Sequence, residues 1–213
     1  TRKVNKYLVQ TKGMANLLEN TLGRGAEILP FFDFSSMTSR KISGGIFVKK
    51  FDFLYVASGE PHKNHQQLIL AWIRLSKLNV LPRLCLTLSK DKSPELVKWI
   101  QINIKQYTLN IEILGNLSHK DTASLYRKTK ALIYPSKIEA FGLPLIEASF
   151  LGLPILSSNL SYVYDVVNPS MPFNPDSFES IASAVETFTY QKSSIRIKII
   201  TPQKFLLNVF SSL

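Results

Sequence analysis

The chain of 213 residues carries a single cysteine, Cys85. No intrachain disulfide can form, so a disulfide-stapled scaffold is excluded and a reducing compartment is favoured. Nine glycines and eleven prolines are too few for a collagen-like or mucin-like chain. Long apolar runs are also missing. Stretches such as Phe53 to Ala57 fall far short of the roughly 20 residues that a membrane-spanning helix needs. The start, Thr1-Arg2-Lys3-Val4-Asn5-Lys6, is basic but leads into no apolar segment of the secretory type. Acidic residues are scarce, 15 against 26 Lys and Arg, for a net charge of +11. Residues 1–50 alone hold nine basic and three acidic residues. This surplus points to phosphate-bearing partners, whether nucleotides, nucleic acid or an anionic membrane face. A solvated basic surface is the plainer alternative.

Several catalytic signatures are absent as well. The six aspartates include no Asp-x-Asp pair, which disfavours a metal-dependent sugar transferase of the GT-A type. There is no Gly-x4-Gly-Lys-Ser/Thr loop, and Gly23-x-Gly25 lacks the strand-to-helix setting of a dinucleotide fingerprint. Ser158 and Ser161 have no matching His/Asp pattern, which argues against a hydrolase triad. His62-x-x-His65 has only Glu60 as a nearby acid, too little for a metal site. Tyr and Phe do not interleave with the basic residues, so no nucleic-acid partner is expected.

What is there is 45% hydrophobic residue, enough for a sizeable core, arranged as apolar runs alternating with helical periods. Strands are expected at Tyr7–Val9, Ala26–Phe32, Phe53–Ala57, Leu84–Leu88, Ile111–Leu114, Ala131–Tyr134 and Pro154–Leu156. Helices are expected after Thr11, through Leu68–Leu78, from Ser93-Pro94, from the Ser118-x-x-Asp121 box, over Pro144–Leu151, around Phe178–Phe188, and from Thr201-Pro202. Trp72 and Trp99 fall on apolar helix faces and read as core. The strands lack polar alternation. The order therefore predicts an α/β protein: a Rossmann-like parallel sheet with helices on both faces.

Ligands of such sheets bind beyond the carboxyl ends of the strands. The densest segment after a strand is Pro135-Ser136-Lys137-Ile138-Glu139-Ala140-Phe141-Gly142-Leu143-Pro144-Leu145-Ile146-Glu147-Ala148. Gly142 allows close backbone approach. Amides at the following helix start can hold an anion, and a carboxylate beside them can accept bonds from ligand hydroxyls. Phosphate next to polyhydroxyl describes a sugar nucleotide. Spacing alone favours the plainer reading, with Glu147 a complement to the helix dipole and Glu139 a solvated loop residue.

This block resembles the hallmark of the glycosyltransferase group 1 family, the retaining family 4 with the GT-B fold: Pro-Ser-x-x-Glu-x-Phe-Gly-x-x-x-x-Glu-Ala, with a Glu-x7-Glu pair that is Glu139 and Glu147 here. The likeness continues through Gly152-Leu153-Pro154-Ile155-Leu156-Ser157-Ser158-Asn159. It also takes in Ile113 to Ser118, Leu125-Tyr126 and His62-Lys63-Asn64 upstream, and spans roughly residues 53–190. The resemblance implies one half of a GT-B fold, mainly the C-terminal donor-binding domain. It implies that Glu139 meets the donor sugar hydroxyls and that Lys63 neutralises the departing diphosphate. The amides of Phe141, Gly142 and Leu143 would face the phosphates, Glu147 the ribose and Leu117 the base. Ser58 joins the donor-binding set. Many members carry an arginine before the lysine. Ala57 and Ser58 stand nearest that position here, leaving Arg127, Lys137 or a residue of another domain to replace it.

The implied activity is transfer of a sugar, with retention, from a nucleotide-diphosphate donor to an acceptor hydroxyl, in bacterial polysaccharide or lipopolysaccharide synthesis. No cofactor and no metal are expected. The partners would be the nucleotide-sugar donor, a saccharide or lipid-linked saccharide acceptor, and an N-terminal domain. Placement would be cytoplasmic, with peripheral contact at the inner membrane face left open. Expected boundaries are 1–33 as a remnant of the acceptor-side domain, 34–50 as linker, 51–190 as donor-binding domain and 191–213 as a C-terminal helical segment. That division, with a start at Thr1 rather than Met, leads us to expect a fragment. A non-catalytic sugar-nucleotide-binding or partner-binding module, or another GT-B enzyme such as a sugar-nucleotide epimerase, is the alternative.

Overall fold

Strands that read as unbroken apolar runs do so because both their faces are covered. Successive side chains of a strand point to opposite sides, and in β6 (Thr129–Tyr134) and β7 (Ile155–Ser158) neighbouring residues are buried one after another. The computed structural model describes residues 6–29 and 48–190. Its main sheet has six strands in the order β5-β4-β3-β6-β7-β8, all parallel. β3 is Phe51–Tyr55, β4 Leu84–Leu86, β5 Ile111–Ile113 and β8 Met171–Phe173. Central β3 pairs Leu54 with Cys85 on one side and with Leu132 on the other.

Parallel neighbours require crossover helices. These are α2 (His65–Lys77), α3 (Pro94–Tyr107), α4 (His119–Arg127), α5 (Leu143–Phe150), the short α6 (Ser161–Tyr164) and α7 (Phe178–Tyr190). α2 packs against α3 and α7, while α4 and α5 lie against β6. Trp72 of α2 meets Phe53 edge-on at 5.7 Å and donates its indole N–H to the Pro82 carbonyl, at 3.0 Å. The α/β parallel architecture is therefore as expected. Burial pushes the Cys85 thiol up to about 12, so the lone cysteine is an inert core residue.

Before this domain stands a small βαβ unit: β1 (Leu8–Val9), α1 (Lys12–Leu22) and β2 (Glu27–Ile28), with the two strands parallel. Thr11 caps α1 by accepting the Met14 amide at 3.2 Å, and Gly23 ends it in the left-handed region at φ 61°. None of the residues of α1 is buried, and Leu8, Leu17, Leu22, Ile28 and Leu29 are exposed. The unit still touches the main domain. The Thr11 hydroxyl donates to the Ala140 carbonyl at 3.2 Å, and the Gly13 amide donates to Asp165 at 2.9 Å.

Several boundaries differ from the sequence reading. The expected strand from Ala26 is the two-residue β2. The 34–50 linker (save 48–50), the 191–213 segment and its Thr201-Pro202 helix start lie outside the described residues. Ser93 precedes α3 without a side-chain capping bond. Two elements are additional. β8 is hidden by Pro172, which cannot donate to a ladder but is tolerated because β8 is the sheet edge. α6 is a single turn, too short to show a period.

Candidate active site

The strand order reverses at β3, whose sequence successor β4 lies on one side while β6 lies on the other. A doubly wound sheet opens a crevice at that switch point, between the loops leaving the two strands. The loop after β3 ends in a 3-10 turn, Pro61–Lys63, and then Asn64 at φ 62°. Asparagine tolerates this left-handed conformation better than most residues. The Asn64 side-chain amide donates to the Pro135 carbonyl at 3.0 Å and to the Pro175 carbonyl at 2.7 Å, tying three loops together. The Tyr55 hydroxyl donates to the Lys63 carbonyl at 2.6 Å, and the Lys137 amide donates to the His62 carbonyl at 2.8 Å. The backbone that carries Lys63 is thus held from β3, β6 and β8.

Across the crevice, Lys63 Nζ donates to Glu139 Oε1 at 2.7 Å and to Oε2 at 2.9 Å. The two side chains are only 15% and 10% exposed, so this pair is partly desolvated rather than a surface contact. Oε1 also accepts the Tyr134 hydroxyl at 2.8 Å and the Ser136 hydroxyl at 2.6 Å. Ser136 is itself fixed, because its carbonyl accepts the hydroxyls of Ser158 and Tyr162, both at 2.7 Å.

The loop then enters α5 through Gly142 at φ 69°, ψ 54°, where a side chain would be strained. Gly142 caps the helix with no side-chain bond, and no acidic residue sits in the first turn. Of the first helix residues, Pro144 has no N–H and the Leu145 amide donates to the Gly142 carbonyl at 2.9 Å, so Leu143 carries the amide that an anion could take at this helix start. Phe141 is buried beneath this turn and Leu143 is exposed above it. Glu147 follows on the second turn. It is buried, and its Oε2 accepts the Tyr126 hydroxyl from α4 at 2.7 Å. Burial raises the Glu147 pKa above the usual carboxylate value. The Tyr126 bond and the nearby His119 oppose that rise. A buried, tyrosine-bonded carboxylate is not the exposed dipole complement that spacing alone favours.

The other expected residues are less closely joined. Ser58 is exposed and bonds Glu60. Leu117 is half-buried against the core in the loop before α4, next to the helix-capping Ser118. Lys137, a suggested substitute for the missing arginine, pairs with Asp176 instead. No cluster of three metal-ligating side chains occurs among the described residues. His65 is buried against Tyr55, with ring centroids 4.9 Å apart. Tyr126, Tyr134, Ser136 and Asn64 belong to the site although sequence reasoning gave them no role. Their one signal was position: each lies within or beside a stretch that resembles the family.

Residues 37–190 match the profile of the family described as Glycosyl transferases group 1, and the chain belongs to that family. It is 30% identical over 134 residues to the O-antigen chain mannosyltransferase B of Escherichia coli, covering 62% of this chain and 35% of that protein. The Salmonella typhimurium O-antigen chain mannosyltransferase RfbU is 32% identical over 92 residues, covering 40% of this chain and 26% of that protein. The chain thus spans about a third of the length of the first of these relatives, or less for the second. Among solved structures, Anabaena Alr3699/HepE in complex with UDP and glucose superposes with TM-score 0.73 at 16% identity, over 99% of this chain and 64% of that one. The C-terminal domain of a Francisella tularensis glycosyl transferase group 1 family protein superposes with TM-score 0.59 at 20% identity, over 74% of this chain and 85% of that one. These structural likenesses establish the fold: the C-terminal half of a GT-B glycosyltransferase.

Proposed function

We propose that this chain binds the nucleotide-diphosphate sugar of a retaining glycosyltransferase that builds a bacterial surface polysaccharide. The observation that carries the reading is the Lys63–Glu139 pair at the sheet's switch point, in the loop that runs directly into the amide end of α5. One cation and one helix terminus suit a diphosphate. Two carboxylates, Glu139 and Glu147, suit the hydroxyls of a sugar and a ribose. The mannosyltransferase relatives and the UDP-bound neighbour support a sugar nucleotide as the ligand class.

In this reading the acceptor hydroxyl attacks the anomeric carbon from the face that the diphosphate leaves, the bond from that carbon to the diphosphate oxygen breaks, and the hydroxyl proton passes to the departing diphosphate. Lys63 and the Leu143 amide at the α5 start stabilise charge gathering on the leaving group. Glu139 orients the sugar, a positioning contribution. No side chain is assigned as nucleophile or base. The acceptor, a saccharide or lipid-linked saccharide, is bound by a facing N-terminal domain, of which β1-α1-β2 is the trailing part. The protein works on the cytoplasmic side, without a metal ion. Calorimetry tests the donor site: the chain should bind a nucleoside diphosphate in the presence of EDTA. Failure to bind, or binding only after magnesium or manganese is restored, contradicts the reading. Transfer to an acceptor should appear only when the facing domain is supplied.

A further inference from the structure

Each glutamate of the pair is held by a tyrosine of its own. The Tyr134 hydroxyl donates to Glu139 Oε1 at 2.8 Å, and the Tyr126 hydroxyl donates to Glu147 Oε2 at 2.7 Å. The tyrosines stand eight positions apart, as do the glutamates, and they pair in nested fashion, inner with inner and outer with outer. Tyr126 and Tyr134 are both fully buried. A buried phenol needs an acceptor, and a backbone carbonyl satisfies it without touching a site. Tyr55 and Tyr162 do so, with the carbonyls of Lys63 and Ser136. Tyr126 and Tyr134 instead donate hydrogen bonds to the two carboxylates that would face the ligand. Burial, and then the neighbouring carboxylates, push both phenols well above their ordinary range. They stay protonated at working pH and so serve the carboxylates as donors.

We propose that Tyr126 and Tyr134 are positioning residues that divide the donor between them, Tyr126 aiming Glu147 at the nucleoside and Tyr134 aiming Glu139 at the sugar. This rests on the nucleotide-sugar reading above. A carboxylate bonded through one oxygen is fixed in rotation and keeps its other oxygen for ligand hydroxyls. At Glu147, Oε2 is taken by Tyr126 and Oε1 is left for the ribose. At Glu139, Oε1 takes Tyr134 and Ser136 as well as Lys63, while among the described residues Oε2 is bonded by Lys63 alone. When Lys63 turns to the diphosphate, Oε2 is released to the sugar and Oε1 stays anchored.

The test uses the full 213-residue chain and its Tyr126→Phe and Tyr134→Phe variants, which keep the rings. Calorimetry with UDP, UDP-glucose, GDP and GDP-mannose is read beside thermal unfolding. Tyr126→Phe should weaken the nucleoside diphosphate and its sugar conjugate by the same factor, about tenfold, the scale for one hydrogen bond to a charged group. It should also move the acid limit of binding to higher pH, because a bond to ionised Glu147 is lost. Tyr134→Phe should leave the nucleoside diphosphate unaffected and weaken only the sugar conjugate, again about tenfold. If Tyr134→Phe does not fold, Ser136→Ala must show the same sugar-only loss. Equal losses for all ligands in both variants would mean a structural role and overturn the proposal, as would unchanged affinities. Wild-type protein that binds none of the four probes overturns the nucleotide-sugar reading itself, and the positioning roles fall with it.

Discussion

The Lys63 ammonium bridges both oxygens of Glu139, at 2.7 and 2.9 Å, across the point where the sheet reverses its strand order. Each group is the other's charge partner. A donor that takes Lys63 with its phosphates and Glu139 with its hydroxyls must separate them, and a satisfied pair raises the cost of doing so.

Lys63→Met should therefore act twice. In the proposed reading it removes the diphosphate's cation, and nucleoside diphosphate affinity should fall at least about tenfold. It also leaves the Glu139 carboxylate, 10% exposed, with only Tyr134 and Ser136 as donors among the described residues, at a stability cost of about 1–3 kcal/mol. Adding Glu139→Gln should restore stability without restoring binding. Thermal unfolding and calorimetry on the single and double variants check this. A single variant that melts and binds like wild type would refute it.

In the proposed reading Glu147 trades stability for ligand binding. Burial raises its folded pKa, so its stabilising contribution is complete below the unfolded carboxylate pKa and is lost as pH rises through the folded value. Glu147→Gln keeps an acceptor for Tyr126 and removes the charge. It should raise the melting temperature at pH 7, and that advantage should vanish as pH falls below the ordinary carboxylate range. Donor binding should weaken by about 1.5–3 kcal/mol. Melting temperatures of both proteins from pH 3 to pH 8 decide the point.

His65 has the opposite sign. Burial lowers its pKa to about 4 from 6.5. Its contribution is present above 6.5 and is lost as pH falls toward about 4, at a slope approaching about 1.4 kcal/mol per pH unit between those values. His65→Gln should flatten the acid side of the stability profile in that window. An unchanged profile would show that another group sets the acid limit.

Gly59 is required for space. A Cβ there would sit 2.0 Å from Ser93 Oγ and 2.5 Å from Ser93 Cβ, where the Lys63 loop crosses the start of α3. Gly59→Ala should destabilise by about 1–3 kcal/mol, the range for overpacking. Ser93→Gly in the same chain should recover most of the loss, since it removes both clashing atoms. Denaturant midpoints of the three variants give the answer.

Much of this architecture was legible in the chain. Unbroken apolar runs such as Ala131 to Tyr134 announced strands covered on both faces. Thr11 and Ser118 marked helix starts by a local hydrogen bond that needs no distant partner. Glu139, Gly142 and Glu147 lie within nine residues of one another, so their placement around a single loop and helix start is a local matter, set by backbone geometry and by the freedom of glycine at φ 69°.

What the tertiary structure decided is which groups meet. Lys63 and Glu139 are 76 positions apart, and Tyr126 and Glu147 are 21 apart. No periodicity links them. Lys63 and Glu139 come together because β3 and β6 pair at the centre of the sheet and their loops leave on the same side. Tyr126 and Tyr134 read locally as core residues, and by burial they are. Tyr126 meets Glu147 because α4 and α5 both lie against β6, and Tyr134 meets Glu139 because the loop after β6 folds back to the end of that strand. A sequence carries the local signals of short-range bonds. Long-range pairs exist only once burial has excluded water and left those donors and acceptors no other partner.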